Sequence, residues 1–242
     1  MTQLLISVKN SEEALIALAT GVDIIDLKDP NEGALGALNL TMTKQILQLV
    51  NGRSLVSATV GELHASIDAL VLDIQLRAEI GVDIIKIAVS DLFVQCGFFD
   101  AIAHLSKANI KIVAVFFADK EINFNLLPAL KNAGFYGAML DTKNKQRNLL
   151  QLQHPSNLHL FTQQCRKYQL ISGLAGSLQP QHIDTLIEIN ATYLGFRGGV
   201  CKDSQRKSSL VSSKVIEVKN MLRNGNRNRT KAQLVLPLAL YS

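Results

Sequence analysis

Short apolar runs rich in β-branched residues alternate along this chain with longer stretches of helical spacing. The runs predict strands over residues 4–8, 23–27, 54–59, 83–87, 110–116, 137–141, 170–174 and 192–196. Each is nearly continuous in apolar character, the pattern of strands covered on both faces. Between them, apolar positions recur at helical intervals: Ile67, Leu70, Val71 and Ile74 fall at i, i+3, i+4 and i+7. Asn10-Ser11-Glu12-Glu13 and Pro180 read as helix starts. Eight strands, each followed by a helix, predict a wholly parallel sheet. The length of 242 residues suits one α/β domain, a single parallel eight-stranded (β/α)8 TIM barrel. An open doubly wound sheet is the alternative, but it ordinarily carries GxGxxG after its first strand, and this chain has none there.

A repeat supports the barrel. GVDIIDLKDP at 21–30 matches GVDIIKIAVS at 81–90, an offset of 60 residues, or two βα units of about 30 residues each. The match reflects either duplicated units or convergence on a common helix-to-strand turn.

Composition narrows the class. Hydrophobic residues make up 48% and charged residues 19%, as in an ordinary globular enzyme. The net charge is +5, but Arg223, Arg227, Arg229 and Lys231 supply four of those charges. Residues 1–222 are therefore expected to form the catalytic barrel, and residues 223–242 a basic, then apolar, tail. Charges clustered in a Gly/Asn-rich tail read as a solvated end. No aromatics are interleaved there for base stacking, so no nucleic-acid partner is expected. Cys96, Cys165 and Cys201 are scattered and form no CxxC, giving no zinc or disulfide signal and fitting a reduced, cytoplasmic setting. The start MTQLLISVKN does not read as a signal peptide, and no apolar run is long enough to span a membrane. The stretch LVLPLAL near the end could dock on a second copy in a homo-oligomer.

In a (β/α)8 barrel, chemistry sits where strands end. The second strand ends IIDLKDP, so Asp26 and Lys28 share a face, and Pro30 turns the chain out of the sheet. The fourth reads IIKI, and the repeat puts Lys86 at the position of Asp26. One lysine at a strand end could simply snorkel to water. Two at matched ends, one beside an aspartate, point to an amine whose pKa is lowered by a second cation and by burial, as attack on an aldehyde requires. Asp141 ends the sixth strand and could hold an ammonium group or relay protons, or could cap a helix; Lys145 follows in the loop. The seventh and eighth strands end LAGS and FRGG. Gly176, Ser177, Gly198 and Gly199 then suit backbone phosphate binding, and Arg197 could add a fork of donors. Ser57 and Thr59 share a face of the third strand and are expected to line the pocket. His64 reads as a solvent-facing loop residue. No metal ligand set and no cofactor are expected.

The segments DIIDLKDPNEGALGA (23–37), LVSATVGE (55–62), IIKI (84–87), AMLDTKNK (138–145), LAGSL (174–178) and GFRGGVCK (195–202) resemble the (5-formylfuran-3-yl)methyl phosphate synthases, also called 4-(hydroxymethyl)-2-furancarboxaldehyde-phosphate synthases. The resemblance runs to about residue 220. It implies a carbon–oxygen lyase acting on phosphates, which condenses two molecules of glyceraldehyde 3-phosphate, a small phosphorylated aldehyde, in methanofuran biosynthesis. It implies Lys28 as the Schiff-base lysine, Lys86 as proton acceptor, and Asp26, Asp141 and Lys145 as supporting polar residues. The chain departs from the family pattern at VGELHAS, where Glu62 replaces a shorter acid. Two other readings stay open: a class I aldolase-type lyase on another sugar phosphate, and a non-catalytic sugar-phosphate binder or nucleic-acid-associated protein using the basic tail.

Overall fold

The computed structural model describes residues 1–235, and they form a closed barrel in which eight parallel strands pair in sequence order. The strands are β1 (Gln3–Val8), β2 (Ile24–Leu27), β3 (Leu55–Thr59), β4 (Ile84–Ala88), β5 (Ile112–Phe117), β6 (Gly137–Asp141), β7 (Ile171–Leu174) and β8 (Tyr193–Phe196). The helices are α1 (Ser11–Thr20), α2 (Leu40–Val50), α3 (Ile67–Glu79), α4 (Phe98–Lys107), α5 (Leu126–Asn132), α6 (Leu149–Leu152), α7 (Pro155–Lys167), α8 (Ile183–Ile189) and α9 (Ser212–Val235). The expected barrel is the one observed, and each strand begins and ends within two residues of its predicted bounds.

Alternation along the strands makes two separate cores. Residues such as Leu4, Ile6, Ile25, Val56 and Ile85 point outward into the layer covered by the helices. Leu5, Ile24, Ile84, Val113, Val115, Met139 and Tyr193 point inward and fill the barrel. Both faces of every strand are thus dry, which is why the strands read as unbroken apolar runs. The helices begin where side chains can satisfy the first free amides: Asn10 accepts from the Glu13 amide at 3.0 Å, Asn39 from Met42 at 2.8 Å and Ser66 from Ala69 at 3.2 Å. Pro180 opens a short 3-10 turn that leads into α8.

The repeat has a structural reason. Gly21 and Gly81 both turn the chain in the left-handed region, at φ 66° and 100°, where a side chain would be strained. Two residues later, Asp23 accepts the Leu4 amide and Asp83 accepts the Val56 amide, each at 2.8 Å. In both copies the aspartate anchors the start of the preceding strand, so GVDII sets how β2 and β4 enter the barrel.

The break expected at residue 223 is not found in the described residues, because α9 runs through it to Val235. This helix packs on α8 and α1. The buried Asn226 side chain accepts from the Thr2 amide at 2.9 Å and donates to the Thr2 carbonyl at 2.8 Å. Arg229, expected to be solvated, donates to the Ile187 carbonyl at 2.9 Å. Most of LVLPLAL lies outside the described residues, and the docking expected of it goes with them. No helix of the described residues is long and apolar enough to cross a membrane.

Candidate active site

A cavity of about 390 Å³ opens at the C-terminal ends of the strands, the face on which barrels of this kind carry function. Lys28, Lys86, Asp26, Asp141 and Lys145 all line it. They come from β2, β4 and β6 and from the loops that follow β2 and β6.

The side chains form two ion-paired groups. In the deeper one, Lys86 Nζ lies 2.6 Å from Asp26 Oδ1, and each residue is only 1% exposed. Ser57 Oγ donates to the same oxygen at 2.7 Å, and Ser7 Oγ donates to Oδ2 at 2.8 Å. Burial alone would raise the Asp26 carboxyl. The Lys86 and Lys28 charges and the hydrogen bonds from Lys86 and Ser57 outweigh it, and the group sits below the ordinary carboxylate value. The Lys86 amine also moves down. Burial is the largest cause, opposed by Asp26 and reinforced by the Lys28 charge.

In the outer group, Asp141 bridges two ammonium groups. Lys28 Nζ donates to Oδ2 at 2.9 Å, and Lys145 Nζ donates to Oδ1 at 2.7 Å. The Thr142 amide also donates to Oδ1, at 2.7 Å. Burial opposes ionisation of Asp141, but Lys145 and Lys28 hold its carboxyl far below the usual range. Lys145 is brought down to about 8, by burial first, with Asp141 pulling the other way and Lys28 adding to the fall. Three lysine amines thus face two carboxylates in a largely dry cavity. That arrangement can deliver an amine nucleophile, a nearby base and a proton relay, and its excess positive charge suits an anionic substrate.

The turns after β7 and β8 form one wall, where Gly176, Ser177 and Gly198 line the cavity. Gly176 takes φ 113°, and a side chain there would strike Thr142. Among the described residues, the amides of Gly176, Ser177 and Gly198 donate to no other backbone group. They are available to an anion. Gly199 is buried behind them, against the Leu178 carbonyl, and serves the packing of the two turns rather than the cavity.

Other expectations are corrected. Ser57 and Thr59 face inward but do not line the cavity. Ser57 is committed to Asp26, and Thr59 Oγ1 donates to the Gly36 carbonyl at 2.8 Å. Arg197 reaches the cavity wall, yet its guanidinium is already occupied. Nε donates to the Arg206 carbonyl at 2.8 Å, Nη1 to the Ser7 carbonyl at 3.1 Å, and Nη2 to the Ser208 carbonyl at 3.0 Å. Both Nη atoms also pair with the buried Glu13 carboxylate. Arg197 is a clamp on the chain, not a free phosphate fork. His64 is mostly covered and lies 3.0 Å from Asp73, away from the cavity. Glu62, the departure after β3, accepts the Ala34 and Leu35 amides at 2.5 and 3.2 Å and pins the loop that follows Lys28. Among the described residues, no three His, Cys, Asp or Glu side chains gather as a metal site.

Two contributions escaped the sequence reading. Ser7 is a polar residue near the end of β1, two positions after inward Leu5, a period-two signal that could have revealed it. The loop after β8 folds back over the mouth and contributes Ser204, Gln205, Arg206 and Lys207. No periodicity announces that return.

Comparison with known proteins bears on the fold and on the family. Solved structures similar to this chain include phosphoribosyl anthranilate isomerase from Thermus thermophilus, at a TM-score of 0.65 and 10% identity over 92% of this chain and 99% of that one. Another is 3-hexulose-6-phosphate synthase from Salmonella typhimurium, at 0.65 and 15% over 93% and 100%. At such identities they speak for the fold alone. A protein of Methylorubrum extorquens that bears the name (5-formylfuran-3-yl)methyl phosphate synthase provisionally is 39% identical over 229 residues, 93% of each chain. The synthases of that name from Methanosarcina mazei and Methanocaldococcus jannaschii are 33% and 32% identical, over 89% and 88% of this chain and 98% and 96% of theirs. The family model for 4-HFC-P synthase matches residues 4–219, and the chain belongs to that family.

Proposed function

We propose that the protein condenses two molecules of glyceraldehyde 3-phosphate to (5-formylfuran-3-yl)methyl phosphate through an imine on Lys28, supplying the furan of methanofuran. The observation that carries this reading is the placement of Lys28 at the cavity mouth, 2.9 Å from Asp141, with Lys86 and Lys145 around the same space. Lys28 attacks the aldehyde as the free amine, its proton having passed to solvent, and the ionised Asp141 carboxylate orients it. Loss of water from the adduct gives an iminium, which draws electrons from the adjacent C–H bond. Lys86, lowered by burial, removes that proton and leaves an enamine. The enamine carbon attacks the aldehyde of the second triose, and the Asp26–Lys86 and Asp141–Lys145 pairs relay protons through the eliminations that follow. Hydrolysis of the imine frees Lys28. Overall one phosphate and two waters leave, the atoms balance, and no oxidant or reductant is needed.

A furan aldehyde absorbs in the near ultraviolet and an aldol does not. Incubation with glyceraldehyde 3-phosphate is therefore expected to raise a near-ultraviolet band while one inorganic phosphate appears per product. A phosphate-retaining aldol with no such band would move the assignment to a class I aldolase-type lyase.

The same assay has a predicted alkaline limb. Lys145 is an ammonium below about 8 and a neutral amine above it. As the donor to departing oxygens it is needed in the charged form, so turnover should fall as pH rises through that value. Lys145→Arg stays protonated over this range and should lose the limb. If the variant keeps it, Lys145 is not the group that titrates.

A further inference from the structure

We propose that Arg206 binds the phosphate of one of the two trioses, as a second anion site facing the Gly176–Ser177 turn, and that the buried Glu13–Arg197 pair positions it. This rests on the reading above for the identity of the ester, though the site is built from its own residues. Two triose phosphates bring two dianionic groups into one cavity, and a single small-residue turn holds one.

Arg206 lies on the loop that folds back over the mouth, and it lines the cavity. Its Nη2 donates to the Gly33 carbonyl at 2.6 Å. Among the described residues, its Nε and Nη1 donate to no other group, and no carboxylate pairs with it. Asp141, Glu62 and Asp29 act on it only from beyond contact, so a half-buried guanidinium is left with vacant donors that no anion touches. Its planar fork suits a phosphate better than any neutral partner.

The loop is held for this purpose. Arg197 Nε holds the Arg206 carbonyl at 2.8 Å and Nη2 holds that of Ser208 at 3.0 Å. Glu13 Oε1 accepts the Leu210 amide at 3.2 Å while pairing with Arg197. The arginine visible in the FRGG motif is thus committed to the backbone, and the arginine nine residues later is presented to the ligand.

The probe is sn-glycerol 3-phosphate, a triose phosphate ester with no carbonyl and hence no imine chemistry. Titration calorimetry on the full chain should show two equivalents bound. Arg206→Gln should abolish the second site or weaken it about 10- to 100-fold, the range for losing charged hydrogen bonds. Arg206→Lys, which keeps the charge without the fork, should fall between, and Lys202→Gln on the same loop should leave binding unchanged. Glu13→Gln should weaken the same site, and combining it with Arg206→Gln should add nothing, which a general loss of structure would not mimic. Melting temperatures identify any variant that fails to fold, and Arg206→Lys then serves in place of Arg206→Gln. One equivalent in wild type, or two undiminished equivalents in folded Arg206→Gln, would overturn the proposal. Because the ligand cannot react, weakened binding in Arg206→Gln supports the site even if glyceraldehyde 3-phosphate gives no furan. Furan formed alongside unaltered ester binding removes the site alone.

Discussion

Lys28→Ala is expected to lower turnover by about 10⁴-fold or more, because it deletes the nucleophile and not a helper. The adduct obtained by borohydride reduction in the presence of glyceraldehyde 3-phosphate should vanish with it. In wild type, reduction converts the imine to a stable secondary amine, and fragment masses should place the added triose on residue 28. The variant should still fold. Asp141 keeps Lys145 and the Thr142 amide at 2.7 Å each, so no bare carboxylate is left behind. Lys86 and Lys145 also carry amines, so the site of the adduct is a real question. An adduct of undiminished yield in Lys28→Ala would remove the imine from residue 28 and the mechanism with it.

Asp26→Ala should cause the largest loss of stability of any single change in the site, about 3–5 kcal/mol by denaturant unfolding at neutral pH. Lys86 sits 2.6 Å from Asp26 and is 1% exposed. Without Asp26 a protonated Lys86 is buried with only the more distant Asp141 opposite it. The loss should shrink as pH rises. In the variant, burial and Lys28 act on Lys86 unopposed by Asp26, so its folded pKa lies further below the unfolded value. The unfolded chain then binds more protons in that window, and stability climbs with pH up to the unfolded value. Asp26→Leu combined with Lys86→Met should restore most of the loss, since a buried pair replaced by apolar groups of similar size is often neutral. A loss below about 1 kcal/mol in Asp26→Ala would mean that Lys86 reaches water by a route the fold does not provide.

The sequence made the barrel and the five charged residues readable for a shared physical reason. Strands buried on both faces must be apolar throughout, so a lysine or aspartate at a strand end stands out against Ile and Leu. Period-two alternation then places Asp26 and Lys28 on one side. The features that stayed hidden depend on contacts between distant segments. Arg197 and Glu13 are 184 residues apart in the chain, and nothing local to FRGG reveals that its guanidinium is already taken. Arg206 reaches the mouth only because residues 201 and 210 bridge and fold the loop back. Ser57 and Thr59 obey the alternation but lie behind Asp26 and the β2 loop, which periodicity cannot show. Gly225 and Asn226 fall in the Gly/Asn-rich stretch that reads as a solvated end. The glycine is instead the place where α9 touches Ile187, and the asparagine meets the Thr2 backbone.

The Asn226–Thr2 clasp also bears on how the chain acquires its shape. Its partners are separated by 224 residues, so forming it closes a loop that encloses the whole barrel, and such closures come late and slowly. On the ribosome the first strand emerges long before residue 226 is made. Until then its leading amide and carbonyl can only bond to water, and the edge between the first and eighth strands has no lock beneath it. The clasp therefore waits for residue 226 to be made, and until it closes the incomplete barrel is open to chaperones or to pairing with another unfinished chain.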